Sequence, residues 1–174
     1  QGDFEVSAFR EHPLRFSARG TLAAKNLVPA VGREDTIIEQ IVVQGDKTGL
    51  NIRAADLRWR GSHVSAAGKL AAAKEALRID VDVAADRLVW EEFSEFTGGG
   101  DGGRDKDKTR VSLPPLEGLI RLKTGSFAVG TFYWNPLHVS AELTPSGING
   151  EVQDSVVCGI RTAGRFSSQK NGEI

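Results

Sequence analysis

The stretch LRIDVDVA at 77–84 alternates strictly, with Leu77, Ile79, Val81 and Val83 on one side of an extended chain and Arg78, Asp80 and Asp82 on the other. Successive side chains of a strand point to opposite faces, so the pattern predicts a half-buried strand with one dry and one wet face. HVSAEL repeats it: Leu137, Val139, Ala141 and Leu143 oppose His138, Ser140 and Glu142. Further strands are expected in DFEVSAF, TIIEQIVVQ, GLNIRA, DLRWRG, GLIRLKT, SFAVGTFYW, GINGEVQ and SVVCGIRTAGRF. Turn signals separate them at GDKTG (45–49), WRGS (59–62) and TPSG (144–147). Parallel strands covered on both faces would read as continuous apolar runs, so alternation with a polar face predicts antiparallel pairing.

Helix is scarce. DRLVWEEFSEF (86–96) is the best candidate, with Asp86 as N-cap and Val89, Phe93 and Phe96 on one face. A helix this short needs the sheet to dock on. NLVPAVG (26–32) reads as a single turn that Pro29 limits. The glycine- and charge-rich run TGGGDGGRDKDKTR (97–110) cannot pack a core and reads as a flexible surface loop. It is not a domain boundary, because the same strand pattern continues on both sides.

Three strands place a glycine among small residues. FSARGTLAA (16–24), VSAAGKLAA (64–72) and IRTAGRFSS (160–168) align on Gly20, Gly68 and Gly164, spaced by 48 and then 96 residues. A weaker copy is expected at Gly118 in PLEGLIRL (115–122). A period near 48 filled with strands suggests a β-meander repeated along an axis. In each copy one face carries apolar, small, Gly, apolar: Phe16, Ala18, Gly20 and Leu22; Val64, Ala66, Gly68 and Leu70; Ile160, Thr162, Gly164 and Phe166. Glycine inside a strand marks a bend, a bulge or a close approach. Two readings follow. Glycine lets the sheet coil over its own core, or it forms the floor of a narrow apolar trough.

No constellation for catalysis or metal binding is legible. His12, His63 and His138 are isolated and form no HxxxH or HExxH pattern. QGDKTGL lacks the order of a phosphate loop, the glycine-aspartate run misses a calcium-repeat register, and there is no GxSxG. Asp80 and Asp82 are expected on a solvated face rather than as an acid/base pair. Cys158 is expected buried as a small hydrophobe, and Phe132-Tyr133-Trp134 is expected to pack on the core. The 22 basic and 23 acidic residues balance to a net charge of −1, and the bases are scattered. This offers no pull toward nucleic acid. A single cysteine excludes an internal disulfide, and no stretch approaches 18 consecutive apolar residues. The chain has no Met and begins at Gln1, which predicts a segment of a longer protein.

The closing stretch GTFYWNPLHVSAELTPSGINGEVQDSVVCGIRTAGRF resembles that of AsmA-like periplasmic proteins, including the large YhdP-type members. The resemblance lies in Pro145 and Gly147, then Asp154, Ser155, Cys158, Gly159 and Ile160, then Gly164. VSAAGKLAAAKEALRIDVDVAADRLVWEEF looks similar to the same family: a Gly-centred strand, an alternating strand, a segment led by Asp86, then a polar loop and Leu113-Pro114. The resemblance covers roughly 50–168, and the glycine-charge loop departs from it. It implies inner-membrane-anchored proteins of Gram-negative bacteria. Their long β-rich grooves are thought to carry phospholipid or to affect outer-membrane assembly. The chain would then be one periplasmic segment, with its membrane anchor elsewhere in the parent.

The expected fold is mainly β: an antiparallel, strongly curved meander, an elongated and taco-like β-groove with one short helix. Residues 1–174 form one segment of a larger repeat array. The expected function is contact with, or conduction of, phospholipid or acyl chains. The expected lining is Phe16, Ala18, Gly20, Leu22, Val64, Ala66, Gly68, Leu70, Leu77, Ile79, Val81, Val83, Leu137, Val139, Leu143, Ile160, Gly164 and Phe166. No enzyme activity, cofactor, metal or nucleic-acid partner is expected. Neighbouring segments of the same parent chain are the expected protein contacts. The alternative is a structural or interaction module whose core is filled by its own side chains.

Overall fold

The computed structural model describes residues 4–9, 15–28, 36–46, 48–73, 76–96 and 115–169; the side chains of residues 4, 6–9, 15–17 and 94–96 lie outside the description. The strands run β1 (Phe4–Phe9), β2 (Arg15–Leu27), β3 (Thr36–Asp46), β4 (Gly49–Trp59), β5 (Ser62–Ala72) and β6 (Leu77–Val89). Helix α1 (Trp90–Phe96) follows. Then come β7 (Leu116–Val129), β8 (Phe132–Thr144), β9 (Gly147–Val157), the two-residue β10 (Ile160–Arg161) and β11 (Gly164–Gln169). All eleven strands join one sheet in chain order, with β10 and β11 both paired to β9 along its last edge.

This is the expected curved meander, with one exception. Every pair is antiparallel except β6–β7, which runs parallel from Leu77↔Leu116 to Val89↔Ala128. Parallel neighbours need a long crossover, and α1 opens it. Alternation could not reveal this pair, because both strands keep one wet face. The helix is also shorter than expected. Residues 86–89 continue β6, and Asp86 does not cap a helix. Its Oδ2 accepts the His63 backbone N–H at 3.3 Å. The expected turn at 26–32 falls mostly outside the described residues, as does the loop at 97–110; Asn26 itself lies in β2 with φ 53°.

Sequence segments read separately fuse into single long strands. GLNIRA and DLRWRG form β4, and HVSAEL is the middle of β8. SFAVGTFYW instead divides at a tight turn where Gly130 has φ 56°. Arg60-Gly61 and Cys158-Gly159 make two further turns with both φ values positive, the conformation that joins hairpin strands with the natural twist. Cys158 is therefore exposed in a turn, not buried in a strand. Phe132 and Tyr133 likewise stand 57% and 64% exposed rather than packed on a core.

The described residues form one layer. Among them, helix α1 packs only against β6 and β7, and from β6 onward each strand touches only its sheet neighbours and α1. The chain exposes 12574 Å², against about 8,300 Å² for a compact monomer of its mass. Near the first edge the sheet curls. Cα atoms of β2 and β5 come within 8 Å, where a flat sheet would hold them about 14 Å apart.

Candidate functional site

The pairing register decides which side chains share a face. Starting from Leu77, Ile79, Val81, Val83 and Ala85 of β6, the partners on β5 are Ala72, Leu70, Gly68, Ala66 and Val64. On β4 the same face continues as Leu50, Ile52, Ala55 and Leu57, and on β3 as Ile38, Ile41, Val43 and Gly45. It reaches β2 as Gly20, Leu22, Ala24 and Leu27. In the other direction it passes through Leu116, Gly118, Ile120 and Leu122 to Leu143, Ala141, Val139 and Leu137. It reaches β9 at Ile148, Gly150 and Val152. No charged residue occurs among these positions. Eight strands, about 34 Å across at 4.8 Å per strand, thus carry one uninterrupted apolar face.

The reverse face is charged. Arg121 Nη1 donates to Asp80 Oδ1 at 2.9 Å and to Asp82 Oδ1 at 3.2 Å, clamping the parallel pair β6–β7. These hydrogen bonds raise the Arg121 pKa above its ordinary value. Arg58 donates to Glu39 at 2.8 Å, and Arg78 to Glu117 at 3.1 Å. A depression of about 340 Å³ lies on this polar face, lined by Arg53, Ala67, Asp82, Arg121 and Lys123 among others. Of the expected apolar lining it shares only Ala66 and Val83. Small residues between long charged ones produce it.

The apolar face is the inner one. At four bulges an extra residue enters a strand: Glu39 beside Gln40, Arg53 beside Ala54, Asn135 beside Pro136, and Gln153 beside Asp154. Each pair sits among polar-face positions, so the polar face has the longer contour and the sheet bends away from it. Burial agrees. Ala18, Val43, Ile79 and Leu137 are at most 9% exposed, with no second layer over them among the described residues. At one end of this face the buried hydroxyls of Ser155 and Thr124 are satisfied locally, whereas Thr36 Oγ1 has no hydrogen-bond partner among the described residues. Ser155 Oγ and Thr162 Oγ1 lie 2.8 Å apart, and Thr124 Oγ1 donates to the Ser126 carbonyl at 2.7 Å.

The glycines explain how the strands coil. Gly68 of β5 and Gly118 of β7 flank β6, with φ of 154° and 126°. A Cβ on Gly68 would collide with the Asp80 carbonyl oxygen, and one on Gly118 with that of Ile79. Gly20 has φ 95° and pairs with Gly45, where a Cβ would strike the Ala18–Arg19 backbone. The repeat therefore holds for Gly20, Gly68 and the weak copy at Gly118. Gly164 departs from it: it opens β11, and a Cβ there would meet nothing within 4 Å.

The expected lining residues divide accordingly. Ala18, Gly20, Leu22, Val64, Ala66, Gly68, Leu70, Leu77, Ile79, Val81, Val83, Leu137, Val139 and Leu143 share the apolar face. Phe16 pairs with Ala8 in register, and its side chain lies outside the described residues. Gly164 and Phe166 pair with Val152 and Gly150, so the register carries the same face onto the open-edge strand β11. Ile160 is set apart, 66% exposed at the strand ends. Sequence reasoning missed Ile38, Ile41, Val43, Leu50, Ile52, Ile120, Leu122 and Val152. The bulges break the period in β3 and β4, whereas the alternation of Leu116, Gly118, Ile120 and Leu122 was a readable signal.

Comparison with family models, with curated proteins and with solved structures finds no match. Among the described residues no cluster of His, Cys, Asp and Glu could hold a metal ion.

Proposed function

We propose that the chain is a lipid-contacting β-groove: acyl chains lie along the inner apolar face, and headgroups stay at its open rim. One observation carries the reading. Among the described residues, the face from β2 to β9 is continuous, uncharged and covered by no second layer. Each methylene taken from water into such a face gains about 0.8 kcal/mol, and a uniform lining lets a chain shift along it at little cost. No catalytic residue is required. The reading of the chain as an AsmA-like periplasmic segment that supports outer-membrane assembly belongs to the same proposal. It rests on the residues of the closing stretch.

Native mass spectrometry of the purified chain, with a saturable fluorescent fatty acid as second probe, tests the groove. Retained phospholipid and saturable uptake support it. A chain that carries no lipid and takes up no probe ends it. The alternative, an interaction module, draws on a different observation: β11 is exposed at all six residues along its open edge. An edge of this kind pairs with extended segments. It would bind its partner whether or not the groove is blocked.

A further inference from the structure

The exposed large hydrophobic side chains are not scattered. Most lie at one end of the strands, where β6 and β7 finish, β8 starts and β9 turns into β10. Val28 is 69% exposed there, Ile160 66%, Tyr133 64%, Phe132 57%, Trp90 49% and Phe93 42%. Helix α1 is fixed at this end: Glu91 Oε1 accepts the backbone N–H of Gly130, at the β7–β8 turn, at 2.6 Å. Trp90 and Phe93 pack ring to ring at 6.0 Å within the helix. Away from this end, the exposed large hydrophobics among the described residues are Phe166 on the open edge, 45%, and Leu116 and Ile148 at the opposite ends, each 39%.

We infer that this rim is a membrane-docking edge, in which Trp90, Phe93, Phe132 and Tyr133 enter the interfacial layer of a bilayer. The inference rests on the groove reading, because the rim borders the open end of the apolar face and would hold it against the source of acyl chains. Three features favour a bilayer over a protein partner. The side chains form a line along strand ends rather than a flat patch. Trp and Tyr pair an apolar body with a polar tip, the combination that settles at the headgroup level. Among the described residues, charges at this end are mixed and paired: Arg87 and Arg60 both reach Glu92, at 3.6 and 4.0 Å, and Arg58 holds Glu39. Docking would therefore not depend on anionic lipid.

The test is flotation of the whole chain with vesicles of phosphatidylcholine, and of phosphatidylcholine mixed with phosphatidylglycerol. Binding to both, insensitive to salt, with Trp fluorescence quenched by brominated lipid, is expected. Replacing Trp90, Phe132 and Tyr133 together by Ser should cut vesicle binding about tenfold or more, while uptake of the fluorescent fatty acid persists. Because quenching is read on the unaltered chain, a misfolded variant does not rescue or sink the idea. No flotation with either vesicle overturns the inference, as does flotation with anionic vesicles alone that salt reverses. A protein that floats but takes up no acyl probe keeps the rim and loses the groove. Acyl uptake without flotation does the opposite.

Discussion

The ring of Phe166 on β11 lies over Gly150 on β9, so that a Cβ at residue 150 would fall inside the ring. An aromatic side chain here covers a glycine of the neighbouring strand, as in designed sheets where aromatics shield edge glycines. Phe166 is 45% exposed. Gly150→Ala and Phe166→Ala should each cost about 1 kcal/mol. The double variant should cost little more than either alone, because both remove one contact. Chemical denaturation of the four proteins measures this, and full additivity would show that the two residues act separately.

The contrast among the repeat glycines is a sharper test of how the sheet coils. Gly68→Ala and Gly118→Ala each place a methyl against a β6 carbonyl at positive φ. Each should destabilise by roughly 2 kcal/mol or more. Gly164→Ala enters open space without that backbone constraint and should fall within about 0.5 kcal/mol of the parent. Thermal melts of the three variants would separate them clearly. Equal losses would mean that the glycines share a role after all.

Arg121 holds Asp80 and Asp82 from outside the trough. Its raised pKa means that its contribution to stability is fully present below the ordinary arginine value and is lost only as pH rises past the raised one. Stability arising from Arg121 should therefore be flat across the neutral range but sensitive to salt. Arg121→Gln should lower the melting temperature more at low than at high ionic strength. A pH-dependent loss near neutrality would point to another group.

Two adjacent residues of β8 separate the faces. Val139 looks into the apolar trough, and Ser140 belongs to the polar face with Glu151 and Arg121. Val139→Glu sets a carboxylate among apolar side chains and should abolish uptake of the fluorescent fatty acid. Ser140→Glu should leave uptake unchanged. Circular dichroism on both proteins guards against simple unfolding. Equal loss in both variants would remove the distinction between faces.

Much of this fold was legible from alternation alone. The period of two in Leu77 to Val83 and Leu137 to Leu143 assigned both strands and faces, because one wet and one dry side leave a clear signature. In β3 it failed locally: Ile37, Ile38, Ile41, Val42 and Val43 populate both faces, since Glu39 enters as a bulge. Cys158 was misplaced because Val156, Val157 and Ile160 make its surroundings look apolar, while the turn at Cys158-Gly159 carries only one glycine as signal. The parallel pair β6–β7 was invisible because strand direction leaves no mark on a half-buried pattern. Of the candidate site, the Gly20 and Gly68 segments were readable. The contribution of β3, β4 and β9 emerged only from the register.

Among the described residues, from β6 onward each strand is held only by its sheet neighbours and α1. Such a molecule behaves as a nearly one-dimensional chain of interactions. Its loss of structure starts at the ends and moves inward, one hydrogen-bonded ladder at a time. Amide protection should then fall off in steps from β6 and β7 toward β11, instead of rising and falling together as in a closed core. An unfinished edge is then the place where order ends, and the place where an added strand would extend it.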